Sequence, residues 1–139
     1  MRIPSGAIVF TALVVTSRAS TAATDDPFRN TDCKKAQVQI ELNYCADREF
    51  QEQDKKLNAV YQALLAGYTQ KDKALLKTAE RNWIAYRDSE CALETASSEG
   101  GSIQPMEYSL CLADKTKLHI KELQRQRDCA DDASCNPPD

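Results

Sequence analysis

Histidine is nearly absent from this chain: His119 is the only one, and no two cysteines form a Cys-x-x-Cys pair. A zinc site lacks both of its usual starting points, and a thioredoxin-like redox role lacks its motif. Nucleophilic catalysis fares no better. There is no Gly-x-Ser-x-Gly elbow, and the sole histidine, in "KTKLHIKEL", reads as a surface or packing residue rather than a base. "EGGS" (Glu99 to Ser102) has neither the lysine nor the preceding strand of a phosphate-cradling loop. Carboxylate pairs can be assembled from Asp54, Glu80, Asp88 or Glu90. With 21 acidic residues in the chain, such pairs arise by chance and read as solvated helix faces. We expect no enzymatic activity, no metal and no cofactor.

Long apolar runs are also scarce. The one present, "GAIVFTALVV" (Gly6 to Val15), is too short to span a bilayer. It follows Arg2 and precedes the small residues of "SRASTAA", so residues 1–23 read as a secretory signal cleaved after Ala23. The 139-residue chain less those 23 leaves 116, the size of one domain. The formal charge of −3 becomes −5 once Arg2 and Arg18 are gone. Such a domain is a poor nucleic-acid ligand and better suited to a basic partner. With no other membrane-length segment, it should carry no anchor after signal removal.

All six cysteines, Cys33, Cys45, Cys91, Cys111, Cys129 and Cys135, lie beyond the signal. An even count behind an export signal points to three disulfides in an oxidising compartment. Of the 15 possible pairings, we expect the three that close short loops between sequence neighbours: Cys33–Cys45, Cys91–Cys111 and Cys129–Cys135. Each would contribute ~2–4 kcal/mol by restricting the unfolded chain. The twin cysteine-helix pattern requires a nine-residue gap and does not fit.

Glycine and proline are sparse, four and five residues, and stretches rich in Ala, Leu, Lys, Glu and Gln run between them. That composition favours helix. Ala46, Phe50, Leu57, Tyr61 and Leu64 share one stripe, which Gly67 ends. "TQKD" (Thr69 to Asp72) reads as a capping box opening a second helix to about Ala96, with Leu76, Ala79, Trp83 and Tyr86 on its apolar side. "SSEGGSIQP" breaks that helix. A third helix carries Met106, Leu110, Ala113, Thr116, Ile120 and Leu123 on one face. "AQVQIEL" (Ala36 to Leu42) reads as a separate short helix. The expected fold is all-α: a small disulfide-stapled bundle of three long helices plus a short N-terminal helix, spanning residues 24–127, with residues 128–139 an acidic Cys/Pro tail.

"NWIAYRDSEC" (Asn82 to Cys91) concentrates the ambiguity. Arg87 stands four residues after Trp83, so its guanidinium can lie over the indole. Trp83 and Tyr86 can pack in the core or face solvent as a binding patch, and core packing is the expectation. Asp54 and Asn58 share a side of the first helix with Leu57 and Tyr61, and we expect them to face Arg87.

Together, "CKKAQVQIELNYCA", "DKKLNAVYQALL", "NWIAYRDSEC", "GGSIQPMEYSLC" and "KTKLHIKEL" resemble the LprI-like lysozyme inhibitor family of small secreted or envelope-anchored bacterial helical domains. The likeness runs from Cys33 to about Leu123. Its markers are Asp54, Leu57, Asn58, Tyr61, Trp83, Tyr86, Arg87, Cys91, Gly100, Gly101, Ser102, Cys111 and Thr116. The chain departs from the family pattern at Glu80, where glutamine is usual, and at His119, where arginine is usual. Cys129 and Cys135 are additions to it. The founding inhibitor is a lipoprotein, but no lipid-accepting cysteine follows this signal, so the protein is expected free in the periplasm or outside the cell. The resemblance implies a protein that binds and blocks lysozyme, a basic peptidoglycan muramidase. The alternative is an envelope or stress-related helical protein that binds another protein or a small ligand. The expected contact is the loop of Glu99, Gly100, Gly101, Ser102, Ile103 and Gln104, because a stapled loop loses little entropy on docking.

Overall fold

A computed structural model describes residues 26–130. The signal segment, residues 131–139 of the tail and the expected Cys129–Cys135 bond, through Cys135, lie outside the described residues, while the start of that tail, residues 128–130, continues the last helix. Those described are helical, with no strand among them: α1 (Gln39–Gly67), α2 (Gln70–Glu94) and α3 (Gln104–Ala130), with a 3-10 turn at Ala96–Ser98. None of the three helices is long and apolar enough to cross a membrane.

The separate short helix expected over Ala36–Leu42 is not formed. Residues up to Val38 make turns, and "QIEL" is instead the first turn of α1. Asp32 accounts for this. Its side chain accepts from the Lys34 amide and its carbonyl from the Lys35 amide, holding the backbone in a turn. Cys33 is then bonded to Cys45 two turns into α1.

Thr69 opens α2. Its hydroxyl accepts from the Asp72 amide at 3.3 Å and donates to the Asp72 carboxylate at 2.6 Å. The end of α2 is closed by Thr95, whose amide and hydroxyl both donate to the Cys91 carbonyl. Because α2 runs back alongside its neighbours, α1 and α3 are parallel. Gln39 meets Met106 near the start of both, Glu49 meets Lys117 midway, and Leu57 and Leu64 share a cluster with Ile120 and Leu123 further on. α1 and α3 pack along most of their length, and α2 leans on them more sparsely.

Three zones divide the bundle lengthwise. At the α1–α2 turn, Leu57, Leu64, Leu76, Ile120 and Leu123 form the apolar core, with Val60, Tyr61, Leu65, Tyr68 and Trp83 packed against it. Fully burying each aliphatic side chain contributes about 1.5–3 kcal/mol. The middle is polar. At the opposite end sit Cys33–Cys45 and Cys91–Cys111, with Cα–Cα separations of 5.5 and 5.7 Å.

The stripe expected on α2 is rotated. Leu76, Glu80, Arg87 and Cys91 are buried, Trp83 is half-buried, and Ala79 and Tyr86 face solvent. The inward positions of α2 face the polar middle zone, where charged groups find partners, so Tyr86 turns outward. On α3, Ser109, Leu112, Ala113, Thr116, Ile120 and Leu123 are buried, while Leu110, expected inside, is 42% exposed.

A surface ion pair joins α1 to α3 midway. Lys117 Nζ lies 3.0 Å from Glu49 and 3.3 Å from Asp114. The bonded ammonium holds the Glu49 carboxyl below its ordinary range, and the two carboxylates hold Lys117 above its own. The Glu49 contribution is therefore present above the ordinary carboxylate range and lost as pH falls through the lowered value. Lys117's is present below the ordinary ammonium range and lost as pH rises through the raised one. Both side chains are about two-fifths exposed, so solvent screening limits the pair to under ~1 kcal/mol. Urea denaturation should show Glu49→Gln weaker than the parent at pH 7, with the difference shrinking as pH falls through the lowered Glu49 value.

Candidate functional site

The exposed tip of the bundle is the loop between α2 and α3. Cys91, fully buried, bonds Cys111 across its base. Above that staple, the Ser98 hydroxyl donates to the Thr95 carbonyl, and the Gly101 amide to the Ser98 carbonyl at 2.9 Å. The Gln104 side chain accepts from the Gly100 amide at 3.2 Å. Asn43 of α1 donates to the Ser102 carbonyl at 3.0 Å, tying the loop to the first helix as well. Gly100 takes φ +76°, a conformation that favours glycine. A Cβ on Gly101 would stand 3.0 Å from the Ser98 carbonyl oxygen. The loop's shape is thus built into its hydrogen bonds and its two glycines.

What this rigid loop offers to solvent is partly apolar. Ile103 is 40% exposed, and Val38 and Ile40, on either side of the Gln39 that reaches Met106, are more than half exposed. Glu99, Gly100, Gly101 and Ser102 are exposed, and Gln104 is half-buried. Hydrophobic side chains on a backbone held from both sides make a surface that can dock without reordering. Among the described residues no cluster of His, Cys, Asp or Glu could hold a metal ion.

Behind the tip, the middle zone brings together most of the other residues singled out in the sequence. Arg87 is its centre. The guanidinium lies between two aromatic rings, 5.1 Å from the Phe50 centroid and 5.2 Å from that of Trp83. It donates to Asp88 at 2.8–2.9 Å and to the Thr116 hydroxyl at 3.4 Å, and stands 3.8 Å from the Asp54 carboxylate. Asn58 donates to both the carbonyl and the carboxylate of Asp54. Asp54, Asn58, Trp83, Arg87 and Thr116 therefore meet. Leu57 and Tyr61 belong to the neighbouring apolar core, and Tyr86 is 56% exposed on a furrow of about 310 Å³ lined also by Trp83, His119, Lys115, Leu118 and Glu122.

The pair missed by sequence reasoning is Glu80 with His119. The ring Nε2 is 2.7 Å from the Glu80 carboxylate, and both side chains are almost buried. The imidazole also stacks on Trp83, centroids 3.8 Å apart and planes 9° from parallel. In the sequence these two positions stand out as departures from the pattern the chain resembles. That shared departure was the available signal. Lys115, paired with Glu94 at 2.8 Å and held above its ordinary ammonium range by that bond, borders the same layer. No buried side-chain polar atom among the described residues lacks a hydrogen-bond partner. The layer is thus a satisfied structural network that holds the three helices in register beneath the loop.

Comparison with known proteins fits this architecture. The chain is similar to an uncharacterized protein, R02472, of Rhizobium meliloti (strain 1021), with 37% identity over 113 residues, covering 72% of this chain and 81% of the relative. No solved structure matches. The family model for lysozyme inhibitor LprI matches residues 30–123, which takes in both stapled segments, the glycine loop and the whole polar layer, so the chain belongs to the LprI lysozyme inhibitor family.

Proposed function

We propose that this protein is exported to the periplasm or the cell exterior. There it inhibits a lysozyme-type muramidase by docking the loop from Glu99 to Gln104 into its partner. Family membership supports the class of partner. The observation that carries the choice of surface is the pinned loop, held by Cys91–Cys111 on one side and by Asn43 on the other, with Ile103 presented outward. An acidic mature domain would be drawn to a basic muramidase, which speeds encounter more than it tightens the complex. The mode of action is occlusion by shape, without turnover.

A lysis assay on peptidoglycan-bearing cells, with a muramidase and equimolar protein, tests this directly. The parent protein should suppress lysis. Ile103→Glu, which places a charge at the docking surface while leaving the bundle folded by circular dichroism, should weaken suppression about tenfold or more. Undiminished lysis by several muramidases, with no complex on gel filtration, would leave the alternative of a non-inhibitory envelope protein. Full inhibition by Ile103→Glu would move the contact elsewhere on the bundle.

A further inference from the structure

Beneath the glycine loop, where α2 gives way to α3, lies a cavity of about 280 Å³ lined by Ala92, Ala96, Glu99, Gln104 and Tyr108. Ala92 and Ala96 end at Cβ, so their wall is apolar and leaves room for a long side chain. Tyr108 is half-buried and adds an aromatic ring. Gln104 is held in place by the Gly100 amide, which donates to its side-chain oxygen at 3.2 Å. Two polar groups at the cavity are left for a ligand. Among the described residues no hydrogen bond engages the Glu99 carboxylate or the Tyr108 hydroxyl.

The charge carried by this part of the chain is of one sign. From Asp88 to Asp114 there are six acidic residues and no lysine, arginine or histidine. The rest of the chain holds all 18 lysines and arginines against the other 15 of its 21 acidic residues. Within the acidic stretch, Asp88, Glu94 and Asp114 are matched by Arg87, Lys115 and Lys117. Among the described residues no ion pair engages Glu90, Glu99 or Glu107. Of these three, Glu99 stands at the cavity. Apolar walls beside an unmatched carboxylate suit a side chain with an aliphatic stem and a cationic head. A neutral apolar side chain would instead desolvate Glu99 without pairing it. Arginine fits better than lysine, because its planar guanidinium is weakly hydrated, stacks on an aromatic ring and meets a carboxylate through a fork of donors.

We infer that this cavity receives an arginine side chain of the basic protein that docks on the loop. The stem runs along Ala92 and Ala96, and the guanidinium meets the Glu99 carboxylate beside the Tyr108 ring. Arginines seated in pockets are among the few contacts that carry most of an interface's binding energy. The assignment rests on the reading of the loop as the docking surface and adds a source of selectivity to it. Ile103 gives apolar contact to any partner, whereas Glu99 discriminates in favour of a basic one.

NMR titration of the full exported chain with N-acetylarginine amide, to roughly 100 mM at matched ionic strength, should shift the amides of Ala96, Glu99, Gln104 and Tyr108 and saturate in the millimolar range. N-acetyllysine amide should shift them less. N-acetylcitrulline amide, which keeps the shape of arginine without its charge, should leave them in place. Glu99→Gln removes the carboxylate and Ala96→Leu fills the cavity. Each should abolish the arginine shifts while leaving the melting temperature unchanged. In the lysis assay Glu99→Gln should weaken suppression about tenfold. Arginine shifts in a protein that suppresses no muramidase would support the cavity assignment and remove the inhibitory reading. Suppression that survives Glu99→Gln intact overturns the inference and leaves the inhibitory reading standing. So do absent arginine shifts, or shifts that citrulline reproduces or that both variants retain.

Discussion

Replacing Cys91 and Cys111 together by alanine is expected to lower the unfolding free energy by about 3 kcal/mol, the entropy released to the unfolded chain when a loop of this length is opened. The effect is large relative to a whole-domain stability of roughly 5–15 kcal/mol. The two alanines also leave a small void, because Cys91 is fully buried. Urea denaturation followed by circular dichroism measures the loss. Amide exchange should show a second effect, with protection collapsing at Gly101 and Gln104, whose amides are bonded only within the loop. Opening Cys33–Cys45 in the same way should leave those two amides protected, since that bond fixes the N-terminal turn instead. Equal loss of loop protection in both variants would show that the staple at the base of the loop has no special role in holding it.

The second large effect is expected at Arg87. Arg87→Ala empties the space between Phe50 and Trp83, strands the buried Thr116 hydroxyl and leaves two carboxylates without their cation. Asp54 and Asp88 are both nearly half exposed and can be rehydrated. The cost should therefore fall at the lower end for a broken buried charge, about 3 kcal/mol. Arg87→Met keeps an unbranched apolar chain between the rings and should recover part of the loss, because burial of a guanidinium contributes little net stability. Arg87→Lys keeps the charge but not the planar fork, and should fall between parent and alanine. Denaturation followed by Trp83 fluorescence reads all three. A lysine variant as weak as alanine would mean that the guanidinium plane, rather than its charge, holds the layer.

The helices were readable because their signals are local. Gly67 ends α1, Thr69 and Asp72 open α2, and Gly100 and Gly101 mark the loop, each through its own backbone chemistry. The two disulfides between described residues join sequence neighbours, so loop closure alone pointed to them. The short N-terminal helix failed because propensity does not see Asp32 holding the preceding backbone in a turn. The face of α2 was misjudged for a different reason. Glu80 and Arg87 look like solvated positions in a highly charged chain, and their partners His119 and Thr116 lie 39 and 29 residues away. Nothing in a local window distinguishes a glutamate facing water from one facing a histidine. Tyr86, assigned to the core by its aromatic ring, faces solvent because Arg87 occupies the inward position beside it. The Asp54–Arg87 approach was anticipated from helix sidedness. Its aromatic sandwich was only half anticipated, since Phe50 came from a helix read separately.

Parallel α1 and α3 have a practical corollary for any attachment chemistry. The chain enters the bundle beside the glycine loop and leaves it at the far end, roughly 40 Å away along the 27 residues of α3. A sensor surface, bead or fluorophore grafted upstream of Cys33 would crowd the loop and mask its contacts. The same graft placed after α3 would hold the loop outward, so C-terminal immobilisation is the arrangement that suits a test of the docking proposed for it.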